Sequence, residues 1–167
     1  MEKCKIYKNF LSKDRRGYFC KIFNFKNFPK FHIKEIYITS SKKNCFRGFH
    51  FQVPPFAVDK IVTCTKGEVL DLVVDLRKKS KNYGKLRNFK LDSISKSLFI
   101  PKGFAHGFIS LSKNSELIYL TTDVYSRKHD KGINHKSVKF SWNKYKNLKF
   151  SDRDKTFPYF LSFKSPF

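Results

Sequence analysis

The residues of this chain best suited to chemistry begin with a histidine set among aromatics, in Arg47-Gly48-Phe49-His50-Phe51-Gln52. An imidazole changes charge within the physiological pH range, so it can take or give a proton where most side chains cannot. If the segment is a strand, alternation puts His50 and Gln52 on one face and Phe49 and Phe51 on the other. Phenylalanines packed into a core would then turn His50 towards a lumen. A single strand histidine is more often structural than catalytic, and only its neighbours can change that reading. A second histidine, His106, ends the segment Pro101-Lys102-Gly103-Phe104-Ala105-His106, just after a turn.

The elements that must hold these side chains read as short strands. Residues 5–10 and 18–23 flank the charged turn Asp14-Arg15-Arg16-Gly17 as hairpin-like material. Residues 34–40 alternate apolar and polar groups and lead into the His50 strand. Residues 60–64 and 69–76, joined by the tight turn Thr65-Lys66-Gly67-Glu68, have the spacing of an antiparallel meander. Residues 86–91, 97–100, 107–111 and 116–125 follow, and on the last of these Tyr119, Thr121, Asp123 and Tyr125 share one face. Roughly ten short strands with regular turn signals predict a closed sandwich or barrel of the jelly-roll kind. Only the tail has helical potential, with a turn at 145–148 and irregular chain over 155–167.

At 167 residues and 40% hydrophobic content, the chain fits a single domain, 1–167, with a sizeable core. Its 20 Phe and 8 Tyr recur in short blocks, which argues against a membrane-spanning helix and a membrane partner. The start, Met1-Glu2-Lys3-Cys4-Lys5-Ile6, lacks a secretion signal, so a cytoplasmic location is expected. Cys4, Cys20, Cys45 and Cys64 are widely spaced and read as reduced thiols. The formal charge of +23, from 36 basic and 13 acidic residues, points towards phosphate-bearing partners. The lysines are strewn through every loop, with no basic helix, aromatic RNA-binding block or zinc spacing. A solvated basic surface is therefore expected in place of a nucleic-acid face. A nucleotide diphosphate is compatible with the same charge.

Pro101–His106 has the PxGxxH form of the second cupin motif, in which a turn delivers a histidine into the mouth of a small β-barrel. The first cupin motif would need another histidine two residues after His50, where this chain has Gln52. A typical cupin metal site is thus missing parts, and neither a metal nor another cofactor is expected. In order along the chain, residues 46–52 (FRGFHFQ), 57–76 (AVDKIVTCTKGEVLDLVVDL), 99–108 (FIPKGFAHGF), 116–125 (ELIYLTTDVY) and 150–154 (FSDRD) resemble the dTDP-4-dehydrorhamnose 3,5-epimerase family of nucleotide-sugar epimerases.

That resemblance implies an all-β, cupin-type jelly-roll barrel with a short helical or irregular C-terminal segment, working as a homodimer. It implies removal of the protons at C3 and C5 of a nucleotide-linked 4-keto-6-deoxy sugar and their return on the opposite face, for surface polysaccharide biosynthesis. Carried over by motif, His50 is the base and Asp154 the carboxylate that orients it and supports its imidazolium. Lys60 faces the enolate oxygen, and Tyr119 is the acid on the other side. Arg47, Arg16 and His106 are the candidates for the diphosphate, with Arg16 reaching the partner's site, and Gln52 and Tyr125 complete the substrate-binding set. Two departures bear on the nucleotide. The family commonly has an acidic residue three to five positions after the first-turn RG, where this chain offers Cys20-Lys21, and its Gln-x-Asn pair appears here as Glu35-Ile36-Tyr37. A guanosine- or uridine-linked sugar, or a heptose, therefore stays open beside dTDP. Open too are inversion at one centre only, a 3,4-ketoisomerase, and a non-catalytic cupin that binds polyanions.

Overall fold

Short runs rich in β-branched and aromatic residues, broken by glycines and polar turns, form twelve strands among the described residues. The computed structural model describes residues 3–167. In chain order the strands are β1 (Lys5–Lys8), β2 (Phe10–Asp14), β3 (Gly17–Lys21), β4 (Glu35–Lys42), β5 (Phe46–Gln52), β6 (Lys60–Lys66), β7 (Val69–Asp75), β8 (Leu86–Leu91), β9 (Lys96–Ile100), β10 (Phe104–Ser110), β11 (Asn114–Thr121) and β12 (Asp130–Gly132). One sheet has the order β1-β9-β6-β11-β4 and a second β12-β5-β10-β7-β8, while β2 and β3 pair only with each other. From β4 onward the chain repeatedly crosses between the two large sheets, as a jelly roll does.

Three apolar layers follow from this. Val62, Leu98 and Leu117 of the first sheet meet Val73, Phe104 and Phe108 of the second in the barrel interior. The outer face of the second sheet, with Phe46, Phe49, Phe51, Leu72 and Ile109, is covered by the C-terminal stretch through Trp142, Phe150, Phe160 and Phe163. Phe23, Phe28 and Phe31 cover the first sheet around Ile61 and Leu120. Along β4 that cover ends, leaving Ile36 58% and Ile38 65% exposed.

Two expectations need correction. Residues 5–10 do not make one strand: β1 joins the first sheet through β9, and the hairpin is built from β2 and β3. Nor do β6 and β7 form a meander. They belong to opposite sheets, because each buries an apolar face against the barrel interior and the turn between them closes the barrel's end.

β5 also departs from simple alternation. His50 faces His106 on β10 while Arg47 faces Phe108, so β5 takes three steps where β10 takes two. A bulge of this kind shifts the side-chain phase, and it puts Phe46 in the same cluster as Phe49 and Phe51. Gly48 makes it possible, with φ +142° and no room for a Cβ, which would stand 2.5 Å from the Gly107 Cα. Gly48→Ala is expected to cost at least about 1–3 kcal/mol from backbone strain alone. Urea denaturation should show that loss, and the nearby His50 should be displaced with it.

Candidate active site

His50 sits mid-sheet, flanked by β12 and β10. Its neighbour on β12 is Gly132, where any Cβ would overlap the Phe157 ring. The missing side chain lets Phe157 meet the imidazole edge-on, with centroids 5.4 Å apart at 80°. The other partner comes from the far end of the chain. Ser151 caps a one-turn helix, α1 (Asp152–Lys155), by accepting the Asp154 N–H at 3.1 Å. This turn aims the Asp154 carboxylate at β5. Oδ1 lies 2.7 Å from His50 Nε2, and Oδ2 accepts the N–H of the bulged Gly48 at 3.3 Å.

Asp154 is only 3% exposed. Burial pushes its carboxyl up, but the hydrogen bond and charge of His50, the Gly48 N–H and Ser151 outweigh that and hold it below its ordinary value. An ionised carboxylate only accepts hydrogen bonds, so Nε2 carries the hydrogen and the Nδ1 lone pair is left to act. The His50 side chain is 34% exposed. It opens on a cavity of about 450 Å³.

Lys60 reaches that cavity from the facing sheet. Burial pulls its pKa down, while Asp130 and Asp71 pull it back up. No side chain pairs with its ammonium among the described residues. At the rim, Arg153 makes a 2.7 Å ion pair with Asp130 and lies over the Phe157 ring at 5.2 Å. An imidazole, an unpaired half-buried cation and a rim arginine thus converge on one hollow, which suits removal of a proton next to a carbonyl. No three His, Cys, Asp or Glu side chains gather as metal ligands among the described residues.

The other predicted residues divide. Thr121, Asp123 and Tyr125 line the cavity, but Tyr119 lies deeper, stacked on the cavity-lining Tyr37 with centroids 4.7 Å apart. Gln52 lines the wall, yet its amide nitrogen donates to the Phe56 and Val124 carbonyls and its oxygen accepts from the Ser126 N–H. These bonds tie it to the loop behind Tyr125. Arg47 is exposed and tied to Ser41 Oγ and the Ser40 carbonyl across the sheet edge. His106 does not reach the cavity wall, because both faces of β10 are buried; it meets Asp71 inside the barrel. Arg16, 90% exposed, is paired with Asp14 at the hairpin tip, away from this cavity. Sequence reasoning missed Arg153 and Asp130. Arg153 stands inside the FSDRD segment, and a basic residue adjoining Asp154 was the available signal.

Residues 1–162 match the family described as dTDP-4-dehydrorhamnose 3,5-epimerase. The chain belongs to that family. A relative of this name from Shigella flexneri is 38% identical over 149 residues, covering 84% of this chain and 82% of its own. The solved dTDP-4-dehydrorhamnose 3,5-epimerase from Sulfolobus tokodaii is 31% identical, with a TM-score of 0.89 over 97% of this chain and 93% of that one. The dTDP-6-deoxy-D-glucose-3,5-epimerase of Legionella pneumophila, solved with dTDP-4-keto-L-rhamnose, is 27% identical, with a TM-score of 0.90 over 96% and 89%. This epimerase therefore shares its jelly roll with relatives along nearly its whole length. Among its described residues no helix is long and apolar enough to cross a membrane.

The depressed carboxyl of Asp154 has a sign that can be tested in this epimerase. Its stabilising effect is complete above the ordinary carboxylate pKa of about 4 and is lost as pH falls through the lower folded-state value. Thermal melts taken downward from about pH 6 should show a shallower acid loss for Asp154→Asn than for the native chain.

Proposed function

We propose that this epimerase inverts C3, C5 or both in a dTDP-linked 4-keto-6-deoxy sugar, with His50 as base and Tyr119 as acid. The observation that carries the reading is the His50–Asp154 pair, whose imidazole lines the same hollow as the unpaired Lys60. The C4 ketone acidifies the C–H bonds on either side. His50 takes the proton, the C–H electrons become the enolate double bond, and negative charge collects on the C4 oxygen. Lys60 meets that charge, and its partial burial strengthens the attraction. Asp154 stays ionised and supports the imidazolium.

Return of the proton on the other face needs an acid opposite His50. Burial pushes the phenols of Tyr37 and Tyr119 upward, so both are protonated donors at neutral pH. Tyr119 meets the sugar once the Tyr37 ring yields to it. Tyr125, exposed at the mouth, suits the nucleotide end, and Arg47 the diphosphate. The relatives are named for dTDP sugars, which makes dTDP the first nucleotide to test, followed by GDP and UDP. A nucleotide-sugar substrate and four unbridged cysteines fit a cytoplasmic enzyme feeding surface polysaccharide synthesis.

A homodimer belongs to the same reading. The uncovered Ile36 and Ile38 adjoin a free sheet edge at β4, and the β2–β3 hairpin extends Phe10, Tyr18 and Phe19, each more than half exposed. A second copy covering this surface would receive Arg16 at its own cavity.

Incubation with the dTDP 4-keto sugar in D2O should bring deuterium to C3, C5 or both by NMR. His50→Asn is expected to lower turnover by about 10²–10⁴-fold with the melting temperature preserved. No deuterium with any of the three nucleotides would sink the proposal, and a moved carbonyl would make the chain a ketoisomerase. Sedimentation should give a dimer that Ile38→Glu converts to monomer. Arg16→Ala should leave the dimer intact and raise KM more than it lowers kcat.

A further inference from the structure

Tyr37 lines the hollow and carries an acidic hydroxyl, yet the chemistry above gives it no part beyond yielding to Tyr119. It is the direct cross-strand neighbour of Tyr119, which has Val62 on its other side, so the three form one row across the first sheet. Two residues further along, Glu35, Thr121 and Lys60 form the next row. Two residues is the period of a strand, so both rows face the same way, about 6–7 Å apart. Lys60, Thr121, Glu35 and Tyr37 all line the hollow from this sheet, and His50 lines it from the other. Tyr37 thus stands on the wall opposite the base, on the same side as the cation. Its ring is nearly parallel to that of Tyr119, at 9° with centroids 4.7 Å apart, but the two differ in access, with Tyr37 37% exposed and Tyr119 4%. Beyond burial, the Tyr37 phenol is acted on by Glu35 and Asp130 of the cavity wall, and the Tyr119 phenol by Asp71 of the barrel interior.

Inversion at two centres makes a demand that one donor meets poorly. C3 and C5 lie on opposite sides of C4, and a donor must come within about 2.6–3.2 Å of the atom it serves. A phenol fixed in a stack meets that distance for one carbon in a given pose. We propose that Tyr37 is a second catalytic acid and that the two stacked tyrosines divide the centres, one returning a proton at C3 and the other at C5. This rests on the epimerase reading above and on Tyr119 being an acid. At each carbon His50 takes the proton and the C–H electrons become the enolate double bond. The carbon then takes hydrogen from a phenol O–H, whose electrons stay on oxygen as phenolate, and the C4 ketone re-forms. Water reloads Tyr37 at its exposed edge, reloads Tyr119 while the Tyr37 ring is aside, and takes the proton from His50, so none is gained or lost over a turnover. The sequence agrees with this division. Position 37 is where the chain departs from the Gln-x-Asn pair, and an amide there would give up no proton where a phenol does.

The test separates the two carbons. Tyr37→Phe and Tyr119→Phe each keep the ring and remove only the O–H. Both are incubated with the dTDP 4-keto sugar in D2O, and NMR follows deuterium entry and configuration at C3 and C5 separately. Each variant should lose inversion at one carbon by about 10²-fold, a different carbon in each, and hold the other within about threefold of the native rate. At the affected carbon deuterium should still enter with retention, because His50 is intact. If Tyr119→Phe fails to fold, the split between carbons in Tyr37→Phe decides alone. Native rates at both carbons in Tyr37→Phe, equal slowing of both, or loss of both in Tyr119→Phe overturns the proposal. A native enzyme that exchanges but inverts only one carbon overturns the second acid and leaves the epimerase reading standing. A native enzyme without exchange overturns both.

Discussion

The hydrogen bond between His50 and Asp154 joins side chains 104 positions apart, and it is met only because two ends of the fold are built to bring them together. A carboxylate this deeply buried is costly unless its acceptors are filled. His50 fills one oxygen and the bulged Gly48 fills the other, while Ser151 fixes the turn that carries it. The bulge therefore does two jobs. It turns Arg47, His50 and Gln52 to the face opposite Phe46, Phe49 and Phe51, and it releases a backbone donor where the carboxylate arrives.

What keeps Asp154 in place is chiefly apolar. The C-terminal stretch that delivers it lies on the outer face of the β5 sheet through aromatic contacts, among them Phe46–Trp142, Phe46–Phe150 and Phe51–Phe163. Each buried phenylalanine contributes about 2–3 kcal/mol, whereas exposed ion pairs such as Arg16–Asp14 or Lys155–Asp152 are screened by solvent and contribute little. The excess positive charge is thus secondary for folding. It weighs more on which ligands approach, because a basic surface attracts a diphosphate over a long range.

Much of this was legible in the residues. Short apolar blocks with polar turns gave the strands, and the alternation of Phe49 and Phe51 with His50 and Gln52 gave the lumen-facing side correctly. The ordered motifs pointed to the family. What failed did so for identifiable reasons. Alternation could not reveal the bulge at Gly48, since an extra residue leaves no mark on local composition. The turn at Gly67 looks the same whether its flanking strands pair or separate into two sheets. The sequence likewise names the amide of Gln52 but not the three backbone groups that hold it.

The sequence by itself determined the elements, the apolar and polar faces, and the side chains able to move protons, because these depend on residue type and short-range periodicity. Only the tertiary structure decided which of them meet. Asp154 reaches His50 through an aromatic cover packed on a distant sheet, Tyr119 is drawn behind Tyr37, and His106 turns inward to Asp71. Those outcomes follow from how two sheets close around a shared core, where long-range contacts set each side chain's burial and partners whatever its neighbours in sequence.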